Sequence, residues 1–408
     1  MTDADVSDAD VPDGDVPDAL YPRFSDAEFA RRHARARALM AGEELAALVV
    51  YGHSGMSRHM QADVLWLSGF FGNRNNYVAM VDGGAPVLFA QSHNHVPNAR
   101  EMASVETRWG GADSASTIAR FLLDSGAVAG ASAGVLGWVG DVPAADWLTW
   151  QKLLPGWTFR EVTPKFRNLR QVKGDEEIEW LRRGAQLTDR ALEALISGAH
   201  AGLREAELGA IVESAGFAAG GLPHLCYLSS GGQDEASACV PRQNLTQRAL
   251  RRGDVVNNEI SISHWGYSGQ IQRPIFIGEA PGPRYASLCA VALESYQRGL
   301  EVLRAGATSD ELLDAAEVIH ERGFTINDSF LHGFGVGLLP PNLGTRRTAK
   351  GRSIAPFVFE KNMCVVLQPN IVTEDERAGV QLGNLVRITE SGAENLHRVP
   401  LQYFVTPR

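Results

Sequence analysis

Cysteine is scarce in this 408-residue chain: Cys226, Cys239, Cys289 and Cys364 each stand alone among apolar neighbours, and none forms a Cys-x-x-Cys pair. That spacing argues against a structural zinc site and against a disulfide framework, and it suits a reducing cytoplasm. Long apolar runs are missing too; no stretch reaches the roughly 18 residues that a membrane helix needs. The N-terminus lacks the basic region and apolar core of a secretory signal. The expectation is therefore a cytoplasmic protein with no membrane partner. Nor is there a surplus of positive charge. Seven of the acidic charges behind the net −10 are Asp3, Asp5, Asp8, Asp10, Asp13, Asp15 and Asp18, so the rest of the chain carries only about −3. No basic face for nucleic acid is indicated. What remains is an ordinary globular composition, 44% hydrophobic, long enough for two or three domains.

Residues 1–20 combine those aspartates with Val, Pro and small residues, too polar to bury, and are expected to form a disordered acidic tail. Asp26 to Met40 has a helical apolar face in Phe29, Ala36 and Leu39, with Asp26 placed to cap it. Strand-like runs follow at Leu45–Tyr51, Tyr77–Val81 and Val87–Ala90, with helical patterns between them. This alternation predicts an α/β domain over 21–163. Residues 164–174 are expected to be a hinge. They lead into a long helix over Asp175–Ala199, and a second domain is expected over 175–408. Within it, Gly202-Leu-Arg-Glu-Ala-Glu-Leu and Gly306-Ala-Thr-Ser-Asp-Glu-Leu echo each other, each opening a helix; Thr308 or Ser309 can cap the second.

Four segments carry a more specific signal: Gly253-Asp254-Val255-Val256, Gly266-Tyr267-Ser268-Gly269-Gln270-Ile271-Gln272-Arg273, His332-Gly333-Phe334-Gly335 and Gly392-Ala393-Glu394-Asn395. Their order and spacing resemble the pita-bread family of methionine aminopeptidases, prolidases, aminopeptidase P and creatinase (peptidase family M24). Leu169-Arg170-x-Val172-Lys173-x-x-x-Glu177-Ile178 is similar to the entry to that family's catalytic domain. The resemblance covers roughly residues 24–405. It implies an α/β N-terminal domain followed by an α+β pita-bread C-terminal domain, and a homodimer in which one chain's N-terminal domain closes the other's site. It also implies five positions for a pair of metal ions, which the family's metallopeptidases fill with two Asp, one His and two Glu. Here they are Glu259, Gln270, His332, Gln368 and Gly383.

Two divalent ions need several charged oxygen ligands to stay bound. With two amides and a glycine among the five positions, no metal and no other cofactor is expected. An amide keeps the approximate shape of a carboxylate while offering both a donor and an acceptor. Gln270, Gln272 and Gln368 thus suit the polar group of a substrate, or else bond one another as buried filling. Creatinase is the metal-free precedent within the family, but its general-base His maps to Ala238 or Cys239 and two of its carboxylates map to Gln272 and Gln368, so identical activity is not expected.

For acid–base work there remain His332, Glu259 and Cys239. Each has a plainer reading: His332 as a structural residue bonding a carbonyl, Glu259 as the ion-pair partner of Arg273, and Cys239 as a packed hydrophobe. Arg74 and Arg346 (or Arg347) fall near the positions of creatinase's anchoring arginines and suit a substrate carboxylate. His264 and Trp265 border the same turn, as pocket wall or as core. Taken together, the sequence predicts a metal-independent hydrolase of a C–N bond in a small, carboxylate-bearing, amino-acid-like substrate. The alternatives are a metal-free lyase or other proton-transfer enzyme, and a non-catalytic binding module.

Overall fold

The computed structural model describes residues 20–54, 58–125, 130–137, 140–235, 239–349 and 354–407; apart from Leu20, the expected acidic tail lies outside them. The first helix, α1 (Asp26–Gly42), is capped by Ser25, whose Oγ accepts from the Glu28 amide at 3.2 Å, one residue earlier than the sequence suggested. A six-stranded sheet comes next, built from β1 (Ala47–Gly52), β2 (Asn76–Val81), β3 (Val87–Ala90), β4 (Glu106–Trp109), β5 (Ser132–Leu136) and β6 (Thr158–Glu161) in the order β4-β3-β2-β1-β5-β6. Leu48 and Val50 of β1 face one apolar layer while Ala47, Val49 and Tyr51 face another, so helices must cover both sides. They are α1, α2 (Ala62–Ser68) and α3 (Val96–Met102) on one face, and α4 (Ser114–Asp124) and α5 (Ala144–Leu153) on the other.

The hinge expected over 164–174 is a packed segment instead. Thr163–Leu169 is a helix, α6, with Phe166 fully buried in the N-terminal core, and Arg170, Gln171 and Lys173 are buried after it. Apolar and cationic side chains both find partners there, which a solvated linker does not offer.

The second half opens with α7 (Asp175–Gly198) and α8 (Glu205–Ala218), packed on β7 (Leu222–Gly232) and β8 (Asp254–His264). The strands β9 (Tyr267–Ser268), β10 (Ile271–Gln272) and β11 (Ile275–Phe276) continue from β8. Then come α9 (Pro283–Val302), α10 (Ser309–Ala316) and α11 (Val318–Glu321), with Thr308 capping α10 as its sequence suggests. The remaining strands are β12 (Phe324–Ile326), β13 (Leu331–Gly335), β14 (Gly337–Leu343), β15 (Cys364–Leu367), β16 (Asn370–Thr373), β17 (Gly379–Gln381), β18 (Gly383–Ile388), β19 (Ala393–Asn395) and β20 (Phe404–Val405). One large sheet runs β14-β13-β15-β18-β10-β8-β11-β20, with β7 and β9 on β8 and β19 on β18. Helices α7 and α8 cover one half of it and α9 and α10 the other, the pita-bread arrangement.

Two glycines are required where α7 crosses the sheet. A Cβ on Gly184 meets the Tyr267 carbonyl, and one on Gly269 comes within 2.6 Å of the Ala185 Cα, so only glycines allow this approach. A fifth apolar cluster joins Phe24, Leu65 and Phe71 of the first half to Leu181, Tyr267 and Phe334 of the second. Among the described residues, no helix is long and apolar enough to cross a membrane.

Candidate active site

Alternation along β8 places Glu259 and Ser261 on the same face of the sheet. Across the ladder, β7 sets Tyr227 opposite Glu259 and Leu225 opposite Ser261. On the other side of β8, Gln270 Nε2 donates a short hydrogen bond to Glu259 Oε1. His332 lies at a bulge in β13, and the bulge depends on Gly333, where a Cβ would run into the Leu339 and Pro340 carbonyls. The His332 ring lies edge-on to Phe334 at 5.7 Å, and its Nδ1 is 3.2 Å from the Gly333 carbonyl oxygen. Gln368 comes directly after β15, and its Nε2 reaches Asp328 Oδ2 at 3.4 Å.

These groups face a cavity of about 670 Å³, within the usual range for small-molecule sites. The N-terminal domain supplies its opposite wall through Tyr51, His53, Asp63, Asp141, Arg167 and Arg170. Arg170 is fully engaged, donating to Asp63 and, at 2.7 Å, to the Val336 carbonyl. Arg167 is held only at long range, 3.4 Å from Asp63 and 3.9 Å from Asp141, with its side chain 39% exposed.

Two titratable groups at the cavity floor, Glu259 and His332, are pushed in opposite directions. Burial, and next the Asp328 carboxylate, raise the Glu259 carboxyl to about 8 against the opposing Gln270 and Gln381 amides. Burial holds the His332 imidazole below its usual value, opposed by the Gly333 carbonyl, Asp328 and Gln368. Near neutral pH, Glu259 therefore carries a proton and His332 does not. With its Nδ1–H assigned to the Gly333 carbonyl, the neutral His332 ring carries its lone pair on Nε2, the atom that can accept a proton.

Of the predicted residues, Glu259, Gln270, His332 and Gln368 converge on this cavity; the others do not line it. Gln272 lies behind the floor, donating to Gln368 Oε1 at 2.9 Å. Arg273 neither anchors substrate nor pairs with Glu259. It is fully buried and donates to the Pro400, Gly383 and Val399 carbonyls at 2.7–2.8 Å, so its guanidinium is spent on backbone oxygens. Arg74 contributes its carbonyl to the Gln61 and Asn76 amides, at 2.7 and 2.9 Å. Arg346 pairs with Asp310 and Asp314 of α10, at 3.2 and 2.7 Å. His264 is edge-on to Trp180, and burial pushes it down to about 4. Cys239 donates from Sγ to the Glu376 carbonyl at 2.7 Å, and burial followed by Glu376 and Asp375 raises it to about 11, the opposite of what a thiolate nucleophile needs.

Sequence reasoning missed Arg167, Asp328 and Ser261. Ser261 was within reach, since period-two alternation from Glu259 selects it. Arg167 was hidden by the hinge reading.

The five positions inherited from the family's dinuclear centre do not fit two metal ions. Gln270 already donates to Glu259, and Gln368 accepts from Gln272. The side-chain space at Gly383 is filled: a Cβ there would collide with Gln272 Oε1, the Leu367 carbonyl and the Gln368 backbone. Among the described residues, no group of three or more His, Cys, Asp or Glu is arranged to hold an ion.

Comparison with known proteins gives the class. Residues 179–390 match the sequence model of metallopeptidase family M24, and residues 32–172 match that of the creatinase/prolidase N-terminal domain. The chain belongs to family M24. It is 25% identical over 397 residues to creatinase from a Bacillus species, a match covering 93% of this chain and 92% of that protein. It is 28% identical over 240 residues to the Xaa-Pro dipeptidase of Pyrococcus furiosus, covering 58% of this chain and 66% of that one, just under two thirds of its length. In fold it is similar to the X-Pro aminopeptidase of Thermotoga maritima (TM-score 0.78, 21% identity, 91% of this chain and 99% of that one). It is likewise similar to the dipeptidase PepE of Mycobacterium ulcerans (TM-score 0.77, 23% identity, 95% and 100%). These relatives are named as enzymes.

Proposed function

We propose that this chain is a hydrolase that breaks a C–N bond in a small substrate with side chains in place of a dinuclear metal centre. The observation that carries the reading is the floor of the cavity. Two of the five family positions, Glu259 and His332, face it with opposite protonation, while the amides and Gln272 occupy the others. Such a pair is suited to one acid and one base role near neutral pH.

In this scheme His332 Nε2 takes a proton from a water whose oxygen bonds to the substrate carbon. Glu259 gives its proton to the nitrogen as the C–N bond breaks, and the His332 proton then returns to Glu259. One water is consumed and an amine and an acyl product leave. Gln270 and Gln368 hold the polar group in place, and the loosely held guanidinium of Arg167 receives a substrate carboxylate. The four cysteines, none of them in a disulfide, extend the proposal to a reducing cytoplasm, and family membership extends it to a homodimer.

The test is turnover of a panel of small amides, ureas and N-substituted amino acids by wild type, His332→Ala and Glu259→Gln, with metal content measured by elemental mass spectrometry after incubation with Mn²⁺, Co²⁺ or Zn²⁺. Each variant is expected to lose about 100-fold or more in kcat, and no pair of ions per chain should be retained. Equal turnover by His332→Ala, or two retained ions, overturns the proposal.

A further inference from the structure

Two polar atoms of the cavity floor are left over among the described residues. Gln270 is 2% exposed and Ser261 fully buried, both line the cavity, and neither Gln270 Oε1 nor Ser261 Oγ has a hydrogen-bond partner among the described residues. Leaving a buried polar atom unpaired costs about 1–3 kcal/mol each, and paired orphans at the floor of a pocket mark what the pocket is built to receive.

The ladder puts the two side by side. The β10–β8 register pairs Ile271 with Ile260; carried back one residue along the same antiparallel ladder, it sets Gln270 opposite Ser261. Directly opposed side chains on one face start from Cβ atoms about 4.5–5.5 Å apart, a span that one planar group can bridge. The chemistry of the two atoms differs. Gln270 has committed its Nε2 to Glu259, so its remaining oxygen can only accept. Ser261 has a hydroxyl hydrogen to give. A ligand that uses both the Gln270 lone pair and the Ser261 hydrogen presents an N–H and, beside it, an acceptor oxygen.

We infer that Gln270 and Ser261 form a subsite for a primary carboxamide or ureido head, –C(=O)NH2, with N–H on Gln270 Oε1 and the carbonyl oxygen on the Ser261 hydroxyl. The inference deepens the proposed function, and it rests on reading this cavity as the substrate site. It narrows the substrate class. An amidinium head has donors only and leaves the Ser261 hydrogen unused; a tertiary amide or an ester leaves Gln270 Oε1 unpaired. Arg167, on the facing wall, suits a carboxylate at the far end of the same molecule. Ser261 is thus a specificity residue: it touches the ligand but moves no proton in the reaction.

Binding, rather than turnover, tests this. Titration calorimetry at pH 7 compares succinamate and 3-ureidopropionate with N,N-dimethylsuccinamate, monomethyl succinate and 3-amidinopropionate, on wild type, Ser261→Ala and Ser261→Thr. Wild type is expected to prefer the two primary heads by about ten-fold. Ser261→Ala should weaken every head that carries a carbonyl and so shrink the preference over the amidine to about two-fold, while the preference over the ester and the tertiary amide, which Gln270 sets, stays; Ser261→Thr, which restores a hydroxyl, should recover the first. Equal affinities across the heads, a uniform loss in Ser261→Ala, or no binding of any probe at millimolar concentration overturns the inference. Unchanged thermal melting of Ser261→Ala separates lost recognition from lost folding. Preferential binding without hydrolysis keeps this inference and sinks the hydrolase reading; hydrolysis without head preference does the reverse.

Discussion

Asp328 touches neither orphaned atom, yet after burial its charge acts on both proton-carrying groups. Its carboxylate raises Glu259 and opposes the depression of His332. If Glu259 is the acid, it works only while protonated, so the rate should fall as pH rises through about 8. If His332 is the base, it works only while neutral, so the rate should also fall once pH drops into its depressed range. Asp328→Asn removes a negative charge that favours the protonated form of each group, and both limbs of the pH–rate profile should move to lower pH. A profile that stays put in Asp328→Asn shows that these limbs belong to other groups. At this scale the sequence was partly legible. Glu259, Gln270, His332 and Gln368 were found because the glycine-rich segments carry the family resemblance that maps them, and each lies on a strand or at a strand's end. Arg74, Arg346 and Cys239 were misplaced because they sit on connections, where a shift of one or two residues redirects a side chain altogether.

The strands show why restoring a lost acid is not a local change. β10 and β18 set Gln272 directly against Gly383, and Gln272 occupies the space an acidic side chain at 383 needs. Gly383→Glu should therefore cost about 1–3 kcal/mol of stability, read as a lowered denaturation midpoint. Gln272→Ala should return part of it in the double variant, a non-additivity expected of touching side chains. Simple addition of the two effects argues against the overlap.

Lys173, just before α7, gives an element-level test of a different kind. It is buried with Nζ on the Gln171 carbonyl at 2.9 Å, and burial pushes it down to about 8. Between about 8 and its unfolded value near 10.4 the unfolded chain binds the extra proton, so stability should rise with pH across that window. Below about 8 the full cost, on the order of 3 kcal/mol, persists. Lys173→Met should be more stable than wild type at pH 7 and lose that pH dependence in denaturant titrations. A less stable Lys173→Met, with the slope retained, contradicts burial as the cause. The helices and strands themselves were largely readable, because period-two and helical patterns are local. That 164–174 is a packed segment was not, because the partners of Phe166, Arg170 and Lys173 are distant in sequence.

Over the whole molecule, the cavity exists because the two halves are locked together, and the lock is charged as well as apolar. Glu177 of α7 accepts from Tyr267 at 2.8 Å and pairs with Arg31 at 2.8 Å, while the fully buried Arg32 pairs with Glu28 at 2.7 Å and stacks over Phe24. Nearer the site, Arg170 ties Asp63 of α2 to the Val336 carbonyl of the C-terminal domain. Replacing one partner of a buried pair strands the other, which typically costs about 3–5 kcal/mol, whereas removing both costs far less. Arg170→Met should thus lower the unfolding free energy by roughly 3 kcal/mol and raise KM more than it lowers kcat. The wall that carries Arg167 loosens, while Glu259 and His332, both on the C-terminal sheet, keep their geometry. The double variant Asp63→Asn with Arg170→Met should recover most of the stability without recovering KM. Recovery of both together, or a kcat loss matching that of His332→Ala, means that Arg170 acts on the chemistry itself and not through the wall it holds in place.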